Sequence, residues 1–513
     1  MPAVLRALWV LFLLTITGLG VWLASSLVAY AGGPAELALF GGVLLFPVLP
    51  LWWEKRATDA FYAQLKRSTR LLPKKRALTA FTRIALRTVF LNLVFVVALV
   101  ALWPKVAFAA LATRGDWFLG DSQGVWTQRG RVVLLGAASG LEWVHRAAND
   151  NPYRSKEDDQ QPVPDTVQPV VAVVTPFGSG ARWRPKDPPP IVPSGVEGPT
   201  PPVEPPPVEP PPVIPSEVEG PPEPEVPAWT VGSTTWPWAE RVHPVVAGMT
   251  AADETSPEAV ARYISARVTD PFARVKALHD WVVTRLRYDS ASITGKRKAQ
   301  DAQSVFLSRL GVCEGYARLL VELGKHSGDR FVYVTGEVRE EHGELAPVGH
   351  AWNAVEVKGA WYILDATWDD PVMNDGSDAY RTDYLFIPPD LAALNHFPDE
   401  PRWQLRAQAL SRAEFLRQPM ATPGLAKEHL ELKSPSRAVV QVGETFDLSL
   451  GNPARMFVMV QVMPEKTKCG PSDAADLALS CPVTRGSEEA IVFVNDQRDG
   501  SYASVASFKV ERR

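Results

Sequence analysis

Three long apolar runs before residue 112, a helix-then-strand pattern between 229 and 424, and short alternating runs after 425 predict a multidomain chain. The expected architecture is a set of N-terminal transmembrane α-helices, then an α+β domain, then a C-terminal all-β immunoglobulin-like sandwich. At 513 residues the chain is too long for one compact domain. Its formal net charge of −4 hides a split: residues 1–112 hold 12 Lys and Arg against 3 Asp and Glu, and the remainder holds 41 against 54. That balance offers no broad nucleic-acid-binding face. Three cysteines cannot build a disulfide framework, so ordinary cores must carry folding, with at most one bridge and one thiol left over.

The first apolar run, 7–30, has no charge over 24 positions, enough to cross a hydrocarbon layer of about 30 Å. A second, 35–53, carries Glu36 and ends on interfacial tryptophans, and a third, 88–112, tolerates Pro104 and Lys105 near its far end. Between the last two lies Glu54 to Arg87, with ten Lys and Arg against Glu54 and Asp59. The excess of positive charge puts this loop and the N-terminus in the cytoplasm and everything after residue 112 outside. The expected place is a bacterial cytoplasmic membrane, with the lipid bilayer as one partner.

Residues 113–160 are a juxtamembrane segment whose role the sequence leaves unread. From 161 to 228 the chain is Pro-rich, with 23 of its 47 prolines between Pro162 and Pro227. Such composition disfavours helix and sheet and predicts a disordered stalk, which at about 3.1 Å per extended residue spans on the order of 100 Å.

Within 229–424, Ala259, Val260, Tyr263, Ile264 and Val268, then Val275, Leu278, Trp281, Val282 and Leu286, recur at helical spacing. Gly311 breaks the chain before a third stripe, Ala317, Leu320 and Val321, which places Cys313 at a helix N-terminus. Amide N–H groups and the helix dipole there favour a thiolate. Further on, 349–368 alternates as a hairpin about Lys358-Gly359. With Val357 opposite Ala360, His350 faces Thr367 and Trp352 faces Asp365, so His350 and Asp365 are diagonal neighbours on one face, within hydrogen-bonding reach. An imidazole that takes a thiol proton and a carboxylate that orients it are what nucleophilic catalysis asks for. Cys313, His350 and Asp365 are therefore the candidate triad. Each alone also suits a structural role: a packed cysteine, a satisfied sheet histidine, a turn carboxylate. Without CxxC or HxxxH spacing, neither a metal site nor a cofactor is expected.

GVCEGYA, GHAWNAVEVKGAWYILDATWD and the upstream LHDWVVTRLRYD (278–289) resemble the transglutaminase-like superfamily, a papain-like α+β fold with Cys, His and Asp in this order. The stretch 383–405, with its H-x-P-x-x-x-x-W-Q-L pattern, is similar to the kyphoscoliosis-peptidase branch. The resemblance covers roughly 235–420 and implies thioester chemistry: attack of Cys313 on an amide or ester carbonyl, then transfer of the acyl group to water or to an amine. It also implies a protein or peptide substrate, here in the cell envelope, or a catalytically inactive scaffold that binds one. The backbone N–H of Cys313 is an oxyanion donor candidate and Gln303 a second, by analogy with papain-like sites; Gln303 reads equally as a solvated polar residue. Tyr316 and Trp352 are expected to line the cleft or pack beneath it, Trp368 to pack, and His396 to be structural.

After 425, runs at 438–442, 446–450, 456–462, 490–495 and 503–510 read as strands of the sandwich. Cys469 and Cys481 fall in the connection 463–489, where a disulfide would leave Cys313 as the free thiol.

Overall fold

The computed structural model describes residues 3–31, 35–67, 78–119, 151–153, 229–294, 297–340, 342–346, 348–370 and 380–512, with isolated positions between 126 and 137. The Pro-rich stalk, most of the juxtamembrane segment and the centre of the basic loop lie outside them.

Four helices open the chain: α1 (Ala3–Tyr30), α2 (Ala35–Arg67), α3 (Ala80–Leu102) and α4 (Pro104–Arg114). Two windows, Trp9–Tyr30 and Ala80–Leu99, are long and apolar enough to cross a membrane. The expected second run, 35–53, is not a separate element, because α2 continues through its charged end to Arg67. The expected third run also differs. Its helix begins earlier, where the Thr79 hydroxyl accepts from the Thr82 amide, and stops at Trp103. Pro104 then opens a new helix, since its ring removes an N–H and clashes with the preceding turn. Glu54 of α2 pairs with Arg83 (2.7 Å) and Arg87 (2.5 Å) of α3, so two cations of the basic stretch hold the helices together.

The α+β domain begins with helices that start on side-chain caps followed by proline: Ser256 accepts from the Ala259 amide, and Asp270 from the Ala273 amide. Their apolar faces, including Val260, Ile264, Val275, Leu278, Trp281 and Val282, are buried. The next long helix, Cys313–Ser327, ends at Gly328, whose φ of +83° closes it in the left-handed region. It lies across an antiparallel sheet of β1 (Arg330–Val338), β2 (His350–Val357), β3 (Ala360–Leu364), β4 (Leu385–Ile387) and β5 (His396–Pro398), in the order β4-β3-β2-β1-β5. Asn353 fastens helix to sheet, its amide donating to Ala317 O (3.0 Å) and Val332 O (3.2 Å). Lys358 and Gly359 both take positive φ in the β2–β3 turn, and the pairs Val357–Ala360 and Asn353–Leu364 show the register that the alternation predicts.

The C-terminal part has a three-stranded antiparallel sheet (431–434, 445–451, 476–482) and a six-stranded one built on 503–512, 489–495, 457–463 and 467–472. The edge 439–442 pairs parallel with 509–512. Phe446, Leu448, Val460, Val492 and Phe508 are among the residues that fill the shared core. The expected connection 463–489 holds two strands. Gly470, at φ +95°, and Pro471 interrupt the alternation of the first and obscure it in the sequence. Cys469 on one sheet is bonded to Cys481 on the other, with Cα atoms 5.6 Å apart, and Cys313 is free.

The chain after residue 229 rests on the N-terminal helices rather than standing off from them. Ala109 and Ala112 of α4 pack on Phe397, Ala413, Phe415 and Leu416. Arg417 donates to Ala112 O (2.5 Å) and, through both terminal nitrogens, to Asp116 (2.9 and 2.7 Å), while Arg114 pairs with Glu511. Arg339 braces that face from within. It is 1% exposed and donates to Gly343 O, Leu394 O, Phe415 O and Gln418 O at 3.0–3.3 Å, and burial brings its pKa down to about 10. Arg339→Leu removes a donor from four carbonyls and is expected to lower unfolding free energy by about 3 kcal/mol in urea denaturation followed by tryptophan fluorescence. An unchanged midpoint would contradict this role.

Candidate active site

Cys313 is the first residue of its helix, where backbone N–H groups have no carbonyl partner four residues back. Glycines on both sides allow this approach. A Cβ on Gly315 would lie 2.6 Å from Gln300 Oε1 and 2.8 Å from Val305, and Gln300 Oε1 itself accepts from the Val312 amide at 2.9 Å. Gln300 therefore shapes the turn into the cysteine. Gln303 instead lies exposed on the helix Ala302–Ser308, facing solvent from the turn after Asp301.

His350 opens β2 opposite Gly336 of β1, and Asp365 follows the last residue of β3. Their diagonal placement lets His350 Nε2 donate to Asp365 Oδ2 at 2.6 Å, and Cys313 lies near enough to the same ring to act on its charge. Asp365 is 1% exposed and accepts from three further groups: the Thr367 amide (2.9 Å), the Trp368 amide (3.3 Å) and His396 Nε2 (3.0 Å). Burial opposes its charge, but the two histidines outweigh burial and hold the carboxyl well below the usual carboxylate range. Burial likewise disfavours a charged His350, yet Asp365 and Cys313 raise its pKa to about 10. The three residues named from the sequence are thus buried together, with His350 hydrogen-bonded to Asp365 and Cys313 beside the imidazole.

Aromatic rings and a polar lattice fix this arrangement in place. His350 stacks beside Trp352 (ring centroids 5.9 Å) and against Trp368 (5.6 Å), and Trp368 meets His396 edge-on at 4.5 Å. Asn395 bridges the outer nitrogen of His396 to the Tyr384 hydroxyl, 2.7 Å on each side, and burial keeps His396 toward its neutral form despite Asp365. Past Asp365, Asp369 meets His279 Nε2 at 3.0 Å and accepts from the Tyr384 amide, and Asp370 accepts from the Tyr316 hydroxyl. Burial raises Asp369 to about 6 against the pull of His279. Tyr316 is accordingly a core residue that anchors the loop after Asp365 and does not line a cleft. Trp352 is buried too and flanks His350 from the sheet, with its ring under Gly336, where a Cβ would lie 2.5 Å from it.

His350, Asp365 and His396 bring three ligand atoms within 4.8 Å of one another, a set able to hold a metal ion. Both imidazole Nε2 atoms converge on one carboxylate oxygen, so a cation there would have to displace two hydrogen bonds.

The sequence offers no signal for two contributors, Tyr288 and Tyr153, and His396, expected to be structural, is a third. Tyr288, within LRYD, packs against the cluster that holds Cys313, and its hydroxyl pKa is raised by burial and then by Cys313. His396 is the second imidazole on Asp365, legible only as part of the H-x-P pattern. Tyr153 carries no motif and comes from the juxtamembrane segment, yet it packs on Cys313.

The family model described as transglutaminase-like superfamily matches residues 258–366. Two curated relatives, both named kyphoscoliosis peptidase, are 30% identical over 157 residues (Homo sapiens) and 28% identical over 152 residues (Mus musculus), each covering 28% of this chain. The chain spans 23% of the length of either relative. Among solved structures, a candidate cysteine protease from Cytophaga hutchinsonii overlaps 26% of this chain and 47% of its own at 23% identity and a TM-score of 0.20. A TGase overlaps 26% of this chain and 36% of its own at 16% identity and a TM-score of 0.19. Residues 258–366, which hold Cys, His and Asp in that order, therefore form a transglutaminase-like domain.

Proposed function

We propose that the chain is a membrane-anchored cysteine enzyme that cleaves or exchanges amide bonds of proteins or peptides through a thioester. The observation that carries this reading is the buried His350–Asp365 hydrogen bond of 2.6 Å, with Cys313 at a helix start beside the imidazole. His350 accepts the thiol proton, and Cys313 Sγ adds to the carbonyl carbon. The helix N-terminus, with the Cys313 N–H, faces the developing oxyanion. Collapse breaks the C–N bond as His350 returns the proton to the departing amine, leaving the acyl group on sulfur. Water then releases an acid, or a second amine takes the acyl group. The name of the curated relatives supports hydrolysis over transfer.

Placement follows the charge pattern. The basic stretch 54–87 stays in the cytoplasm, and the domain faces outward in a bacterial inner membrane, acting on envelope proteins. The sheets after residue 425 would serve as an immunoglobulin-like module that seats the domain or positions substrate. A second reading, a scaffold that keeps the fold without turnover, is favoured by one observation: Cys313 is 1% exposed.

Three outcomes are expected. Alkylation of Cys313 by iodoacetamide at pH 6–7 should slow at least tenfold in His350→Ala; equal rates would favour the scaffold. Turnover of a peptide substrate should fall as pH rises through about 10, where His350 loses the proton it delivers. The same raised pKa makes the His350–Asp365 pair stabilising below His350's ordinary value of 6.5 and progressively lost on the way to about 10. Reporter fusions at residues 70 and 160 should fall on opposite sides of the membrane, and a shared cytoplasmic signal would overturn the outward placement.

A further inference from the structure

The catalytic thiol is covered by a tripeptide from far upstream, Asn151-Pro152-Tyr153. The Tyr153 side chain is 7% exposed and sits among Val312, Cys313, Ala317, Tyr333 and Ala351. Its hydroxyl and the Cys313 thiol are close enough to influence each other's charge. The backbone is held at several points. Tyr153 O accepts from the Tyr333 hydroxyl at 2.7 Å, and Arg297 donates to Pro152 O at 3.4 Å while its guanidinium lies 4.6 Å over the Tyr153 ring. Arg297 is itself fixed by Glu314, the residue after the cysteine.

Asn151 forms the clasp. Its amide donates to Gly336 O (3.3 Å) and Asp399 Oδ2 (3.2 Å), and its Oδ1 accepts from the Tyr153 amide (3.1 Å). Gly336 pairs with His350 across the sheet, so the clasp is set on the backbone beside the catalytic imidazole. Gly349 makes room for it: a Cβ there would lie 2.4–2.7 Å from the Asn151 side chain. A tripeptide gripped through its backbone on both sides, with one ring inserted beside the thiol, is how a bound peptide sits in a groove. Some 75 residues, with the 23 prolines, separate Tyr153 from the domain it occupies, so the segment is tethered to its site at high effective concentration.

We infer that the pocket beside Cys313 is a binding subsite for an aromatic residue of a peptide, and that Tyr153 is its resident intramolecular ligand. Resting on the reading of Cys313 as nucleophile, this makes an acyl donor compete with the chain's own segment for the thiol. It also accounts for an intact triad beside a buried sulfur.

The test uses the full chain in detergent and follows iodoacetamide labelling of Cys313. Tyr153→Ala, and separately Asn151→Ala, which loosens the clasp without touching the pocket, should label at least tenfold faster than wild type. Adding the amide of Asn-Pro-Tyr should slow Tyr153→Ala back toward the wild-type rate, while Asn-Pro-Ala amide should not. Rates within twofold of wild type in both variants would overturn the inference, as would equal protection by the two peptides. Adding His350→Ala to Tyr153→Ala separates this from the enzyme reading. Fast labelling that ignores His350 leaves the subsite standing and removes the activated nucleophile, and slow labelling that still depends on His350 does the reverse.

Discussion

A buried carboxylate must be compensated or it will take up a proton, and Asp365 is the group on which this domain settles that constraint. Two imidazoles and two backbone amides converge on its oxygens, and each donor commits a different part of the fold. His350 fixes the start of β2, His396 fixes β5 at the far edge, and the Thr367 and Trp368 amides fix the turn after β3. The same turn is tied outward through Asp369 to His279 and through Asp370 to Tyr316 on the cysteine helix. The carboxylate that orients the imidazole is therefore also where helix, sheet centre and sheet edge are registered.

Much of this was legible in the sequence because it is local. The β2–β3 hairpin has a two-residue turn and strict alternation, so pairing Val357 with Ala360 brings His350 and Asp365 together without any tertiary information. Cys313 at a helix start followed from Gly311 and the apolar stripe behind it. What depended on distant chain was not legible. Gln303 and Gln300 are three residues apart and chemically the same, and only the packing of the turn against Val305 and Gly315 decides which one holds the backbone that leads into the cysteine. Tyr316 was expected to line the cleft or to pack beneath it, and its hydroxyl, claimed by Asp370 in the core, decides for packing.

Longer-range placement was harder still. An 88–112 run is apolar enough to be read as one helix, and the break at Trp103-Pro104 shows backbone stereochemistry overriding hydropathy. The short helix so created, α4, offers alanines to Phe415 and Leu416 and so becomes a seat for the chain after residue 229. Proline content predicted distance between the N-terminal helices and the transglutaminase-like domain, whereas contacts made by Arg417, Arg114 and Tyr153 draw upstream chain onto the later domains. A tether sets how far a domain is able to travel, and the contacts at its two ends decide where it rests.

The central claim is that Cys313, His350 and Asp365 act as one unit on a carbonyl. The most direct measurement is mass-spectrometric mapping of the chain after brief exposure to an activated peptide ester and an acid quench, in wild type, Tyr153→Ala and Asp365→Asn. The account predicts an acyl group on Cys313 that hydroxylamine removes, more abundant in Tyr153→Ala and strongly reduced in Asp365→Asn. A Cys313 that stays unacylated in Tyr153→Ala while iodoacetamide reaches it would contradict the account.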